Sequence, residues 1–156
     1  MTRTAYPVHA ADIEWIELRA GVAVRPLRFG LDGWTIQLRV DPGTTISRHR
    51  HTGEVHGYNV SGHRELIDTG EIVGPGTYVY EPPGNVDSWR CHGDEPCIIQ
   101  INLTGRVEYL DDNDTVTHYS DARNQREVYL AWCKSRGIAP TVPMVPYDKA
   151  AWEGEG

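Results

Sequence analysis

This chain lacks what several function classes require. No run of apolar residues approaches the roughly 18 needed to span a bilayer, so no membrane segment is expected. Met1-Thr2-Arg3 leads into Ala5-Tyr6-Pro7-Val8-His9 without an apolar core, and no secretory leader is expected. Basic residues are in deficit, with 15 Lys and Arg against 22 Asp and Glu for a net charge of −7. Phosphate backbones are bound through basic faces, so no nucleic-acid partner is expected. Cysteine is scarce: Cys91, Cys97 and Cys133 are an odd number at spacings that suggest no shared site. They read as reduced thiols of a cytoplasmic protein. No internal repeat and no linker marks a second domain.

What the chain does have is strand. Its 156 residues suit one domain, long enough to bury about two-thirds of the unfolded surface. Short runs of β-branched, aromatic and alternating residues recur at 22–29, 34–40, 46–51, 54–60, 64–68, 77–81, 88–91, 97–103 and 115–119. Most of the 16 glycines and 10 prolines fall between them, as at Asp41-Pro42-Gly43, Gly74-Pro75-Gly76 and Pro82-Pro83-Gly84. Many short strands at near-regular spacing predict an all-β sandwich or barrel, with a core over about 20–119. One helix is predicted over about 121–136. Asp121 suits its N-cap, Val128, Ala131 and Trp132 its apolar face, Lys134 and Arg136 its C-terminal dipole, and Gly137 its stop. The helix is expected outside the barrel or at a subunit contact, away from the chemistry. A tail over 137–156, marked by Pro140, Pro143 and Pro146, is expected to be extended and frayed at its Gly/Glu end.

The chemistry concentrates in Gly43-Thr44-Thr45-Ile46-Ser47-Arg48-His49-Arg50-His51. His49 and His51 sit two apart in a strand, so both imidazoles point to one face. Two neutral imidazoles converging there are the usual start of a transition-metal site. The later turn Glu81-Pro82-Pro83-Gly84-Asn85-Val86-Asp87 brings a carboxylate, Asp87, to where a third ligand could close it.

The spacing G-x5-H-x-H, Gly62 and the later P-P-G turn resemble the two motifs of the cupin superfamily. More narrowly, His49-Arg50-His51-Thr52-Gly53-Glu54-Val55-His56-Gly57-Tyr58 and Gly74 through Gly84 resemble 2,4'-dihydroxyacetophenone dioxygenase-like cupins. The resemblance spans roughly 10–137 and implies a single-domain β-barrel of the jelly-roll type with a metal inside and one C-terminal helix. It implies that His49 and His51 hold the ion, with Asp68 as the strand carboxylate where the family more often has glutamate. At the position expected to hold a further histidine stands Asp87, and around the family's glutamate position stand Glu54, Val55 and His56.

Three readings of Asp87 follow. It ligates the metal, giving two imidazoles and a carboxylate as in non-haem Fe(II) oxygenases. Alternatively, His56 supplies the missing nitrogen while Asp87 serves as base or substrate contact. Or the site has lost its catalytic metal. Tyr58, Tyr80 and Trp89 are expected to shape the cavity, and Trp34 and Gln37 are further interior candidates. Glu81 is expected to cap backbone amides, Arg48 and Arg50 to point outward, and His63, His92, His9 and His118 to take no part.

The function implied is a metal-dependent oxygenase, most simply with Fe(II), that cleaves a C–C bond of a small ketone, diketone or hydroxyaryl ketone with O₂. Mn, Ni or Zn are alternative ions. A redox-neutral metal cupin acting as isomerase, cyclase or lyase on a carbonyl substrate is the second class. A non-catalytic ligand-binding cupin, as in some anti-sigma factors, is the third. A homodimer is expected, since such barrels leave edge strands that pair across two-fold axes.

Overall fold

The computed structural model describes residues 7–144. A single 3₁₀ turn, Ala10–Asp12, precedes twelve strands. These are β1 Ile16–Arg19, β2 Val22–Phe29, β3 Gly33–Val40, β4 Thr45–His51, β5 Val55–Ser61, β6 His63–Leu66, β7 Ile72–Val73, β8 Tyr78–Glu81, β9 Val86–His92, β10 Cys97–Thr104, β11 Arg106–Leu110 and β12 Val116–Asp121. Helix α1, Ala122–Arg136, follows directly.

The strands form two six-stranded sheets with antiparallel pairings, ordered β1-β2-β3-β10-β5-β8 and β12-β11-β4-β9-β6-β7. Alternation along the central strands sends one row of side chains inward from each sheet. Val24, Phe29, Trp34, Val55 and Leu103 of the first sheet pack with Val107 of the second. A second cluster joins Val40, Cys97 and Ile99 to Trp89 and Cys91, and Leu38 and Ile101 touch both. The all-β architecture with one C-terminal helix is therefore as the sequence predicts. Cys91, Cys97 and Cys133 are unpaired and buried. Among the described residues no helix is long and apolar enough to cross a membrane.

Gly62 shows why one motif glycine is needed. Its φ is +69°, and a Cβ there would lie 2.2 Å from the carbonyl oxygen of Pro96. Only a residue without Cβ lets the tight β5–β6 turn pass beneath that backbone.

Three boundaries matter for the site. The run over 64–68 ends early, because β6 closes at Leu66 with Gly70 N–H donating to the Leu66 carbonyl at 2.7 Å. The run over 88–91 begins early, at Val86, so Asp87 lies inside β9 rather than in the preceding turn. Strands β1, β7 and β11 fall outside the expected runs; all are five residues or fewer and too short for period to register.

The helix ends are as expected: the Asp121 side chain accepts from Asn124 N–H at 2.8 Å, and Asn124 returns the bond. Gly137 adopts the left-handed conformation at φ +66°. Its buried face, however, runs through Ala122, Tyr129 and Cys133. Val128 and Ala131 are exposed instead and Trp132 is only half-buried. The tail explains the difference. Tyr129 Oη accepts from Thr141 and Val142 N–H, Val142 is buried, and Phe29 N–H donates to the Pro143 carbonyl. The expected extended tail is thus pinned down over 137–144, while Pro146 and the Gly/Glu end lie outside the described residues.

Candidate functional site

Strand β4 delivers both histidines to the interior. Its burial alternates so that His49 and His51 are buried while Arg48 is exposed and pairs with Asp114. The rings lie 4.8 Å apart, centroid to centroid, and nearly perpendicular. His49 Nδ1 is 2.7 Å from the Ser47 carbonyl oxygen, which can only accept. Nδ1 therefore carries the proton, and Nε2 keeps its lone pair. His51 is held differently. Its Nδ1 is buried without a partner, and its Nε2 lies 3.6 Å from Glu81 Oε2. Burial, reinforced by His49 and opposed by Asp87, pushes the His51 pKa down to about 4. His51 thus favours the neutral form that binds metals or accepts protons.

These rings stand at the charged end of a cavity of about 420 Å³ between the sheets. Arg64 and Glu81 share that end, while Ile36, Leu38, Ile99, Ile101 and Leu103 make an apolar body. Glu81 is the inward residue of β8, where Tyr78 and Tyr80 face out, and it accepts from Asn85 Nδ2 at 2.8 Å. The expectation that Glu81 caps backbone amides is corrected accordingly. Arg64 is 3% exposed, donates from Nε to Asn59 Oδ1 at 3.2 Å and stacks its guanidinium 5.1 Å over Trp89. Burial lowers its pKa against the pull of Asp87 and Glu81. Nothing in the sequence marks Arg64, because an arginine in a strand is ordinarily an outward residue.

The candidate residues divide sharply. Trp89 is buried and lines the cavity. Asp87 pairs directly across from His49 on β9, and opposite residues of an antiparallel pair share a face. It is half-buried beside the cavity rather than lining it, and burial followed by Glu81 raises its pKa, against His49, Arg64 and His51. Asp68 does not line the cavity; it sits exposed in the turn after β6, where its charge acts on Arg48.

His56, Tyr58 and Tyr80 also lie outside. On β5 the inward residues are Val55, Gly57 and Asn59, so His56 and Tyr58 face away from the cavity. His56 there bonds Tyr78 Oη, and Tyr80 Oη donates to Glu54 at 3.1 Å. Trp34 lines the cavity, whereas Gln37, three residues on, bonds Arg25 and Gln100 instead. An odd spacing on a strand puts two residues on opposite faces.

Next to His49, whose ring lies 6.1 Å from that of Tyr109, the cavity holds residues that the sequence does not single out for it. Tyr109 and His118 stack at 4.4 Å, and Ser120 lies with them along the wall. Gln125 and Val128 of α1 line the cavity too. The helix is part of the site, contrary to the expectation that it packs away from it, because β12 runs into α1 without a linker.

The donor chemistry suits a divalent ion: two imidazoles, one with an orphaned buried nitrogen, beside carboxylates. Yet among the described residues no three His, Cys, Asp or Glu side chains already converge as a metal-holding group.

The sequence profile of the ChrR cupin-like domain matches residues 4–106. The chain belongs to that cupin family. Among solved structures, this cupin superposes on an RmlC-like cupin protein from Ralstonia eutropha with a TM-score of 0.82. The two are 23% identical, over 88% of this chain and 92% of that one. An acetylacetone dioxygenase from Acinetobacter johnsonii gives 0.73 at 16% identity, covering 84% of this chain and 94% of that one. The polyketide cyclase RemF from Streptomyces resistomycificus gives 0.57 at 18%, covering 76% and 85%. No curated protein matches the cupin's sequence. At these identities the likeness establishes the fold, and one fold hosts many chemistries.

Proposed function

We propose that this cupin binds a small, mostly apolar carbonyl compound and acts on it as a metal-dependent oxygenase that cleaves a C–C bond. The observation that carries the proposal is the pair of buried imidazoles, 4.8 Å apart, at the charged end of a largely apolar cavity of about 420 Å³. His49 and His51 would hold the ion, with Asp87, opposite His49, drawn in as the carboxylate. Fe(II) fits such a set best, and Mn, Ni or Zn are alternatives. When bound, the ion supplies Lewis acidity toward the ligand's oxygens and, as iron, a place for O₂.

The chain's own residues do the rest. Glu81, its carboxylate facing His51, accepts a proton from the carbon beside the carbonyl. Arg64 offers a fixed positive charge to the enolate oxygen that proton loss creates. The isoleucine and leucine walls hold the ligand's body and exclude water. A homodimer joined through edge strands, in the cytoplasm, completes the proposal.

The test is metal content of untagged protein purified without chelator, followed by O₂ uptake with pentane-2,4-dione and 2,4'-dihydroxyacetophenone. About one bound iron, lost in the His49→Ala/His51→Ala double variant, with O₂ consumed by the parent, supports the proposal. Metal content unchanged in that variant would sink it.

A second reading has its own support. Asp87 stands where the family resemblance implies a histidine, and among the described residues no three donors converge. A cupin that binds its ligand without oxidising it, or rearranges a carbonyl compound as a cyclase or isomerase, then follows. Ligand-dependent O₂ uptake separates the two.

A further inference from the structure

Glycines in this fold mostly have a visible reason. Gly62 has a positive φ and no room for a Cβ. Gly33 and Gly53 lack the positive φ, but a Cβ would come within 2.4 Å of the Leu103 carbonyl oxygen and 2.3 Å of Thr104 Oγ1 respectively. Gly57 has neither reason. Its φ is not in the left-handed region, and its nearest neighbours to a built Cβ are Arg64 Nη2 at 3.7 Å, the Val79 carbonyl oxygen at 3.7 Å and Ile99 Cγ2 at 3.9 Å. All are ordinary contacts. A glycine within a strand costs about 0.5–1 kcal/mol against alanine, so one that sterics do not demand marks a close approach from elsewhere.

Gly57 is an inward residue of β5 and lines the cavity between Arg64 and Ile99, at the charged end. A side chain there would project into the space beside the guanidinium. We infer that Gly57 is the specificity-determining residue of this pocket, leaving room for a ring or branched substituent on the ligand next to its carbonyl head. The inference rests on the carbonyl-binding reading and adds the ligand's shape to it. A valine at 57 would fill that room and restrict the cupin to slender ligands, while the apolar body of the cavity keeps its dimensions.

The experiment titrates parent, Gly57→Ala and Gly57→Val with two pairs of probes by calorimetry. Toluene and naphthalene report space without regard to carbonyl chemistry; pentane-2,4-dione and 1-phenylbutane-1,3-dione report both. Gly57→Val is expected to weaken the wider member of a pair by at least about 10-fold while the narrower stays within about threefold. Gly57→Ala is expected to raise the melting temperature, since its methyl meets only ordinary contacts. Equal weakening of narrow and wide probes, no weakening, a lowered melting temperature in Gly57→Ala, or a parent that binds neither hydrocarbon would each overturn the inference. If the hydrocarbons show the expected dependence on residue 57 and neither diketone binds the parent, the carbonyl-binding proposal fails and the role of Gly57 stands. If the parent binds the diketones and the variants show no dependence on width, carbonyl binding stands and the role of Gly57 fails.

Discussion

Lowering the pH of the metal-free protein should destabilise it through one ring, His51. In the folded state its pKa sits at about 4, because burial and the neighbouring His49 oppose a charge there. In the unfolded chain it returns to about 6.5. The unfolded state therefore binds more protons between those values, and stability rises with pH across that window. It is full above about pH 6.5, falls as pH drops through the window, and levels off below about pH 4. The gap of about 2.5 pH units corresponds to about 3 kcal/mol in all, of which about 2.5 kcal/mol is lost between pH 7.5 and 4.5. That is a sizeable part of the 5–15 kcal/mol typical of a domain.

Asp87 works in the opposite direction, since its raised pKa makes the folded state the better proton binder just above the ordinary carboxylate range. The comparison is best made in an Asp87→Asn background. Urea unfolding of Asp87→Asn and of Asp87→Asn/His51→Gln, with EDTA present, should give free energies whose difference shifts by about 2.5 kcal/mol from pH 7.5 to 4.5. A difference that stays flat over that range would refute the assignment of His51 as a ring buried neutral.

Two further outcomes follow from particular contacts. Gly62→Ala should cost at least about 2 kcal/mol in urea unfolding, for left-handed strain and for displacement of the Pro96 carbonyl 2.2 Å away, whereas Gly43→Ala, with φ +78° and nothing within 4 Å, should cost about 1 kcal/mol. Equal losses would show that the Pro96 contact has no weight. Asp87→His should raise the iron or zinc retained through purification, because residue 87 faces His49 across the β4–β9 pair; metal content equal to the parent's would mean that position 87 does not reach the ion.

The sequence by itself determined most of the elements and the relative facing of near neighbours. Period-two spacing put His49 and His51 together, because backbone geometry alone sets that relation. Local capping chemistry placed the start of α1 at Asp121 and its stop at Gly137, since those bonds span only a few residues.

The tertiary structure decided what depends on absolute facing and on register. Alternation says that Tyr78 and Tyr80 share a face opposite Glu81, but not which face meets the other sheet. That choice brought Glu81 inside and left His56, Tyr58 and Tyr80 outside. A two-residue difference in where β6 ends removed Asp68 from the site, while Arg64, earlier on the same strand, entered it. The helix joined the cavity wall through Gln125 and Val128, while the tail past Gly137 engages Tyr129 on its buried face. Each of these outcomes rests on contacts between residues far apart in the chain, where local spacing carries no information.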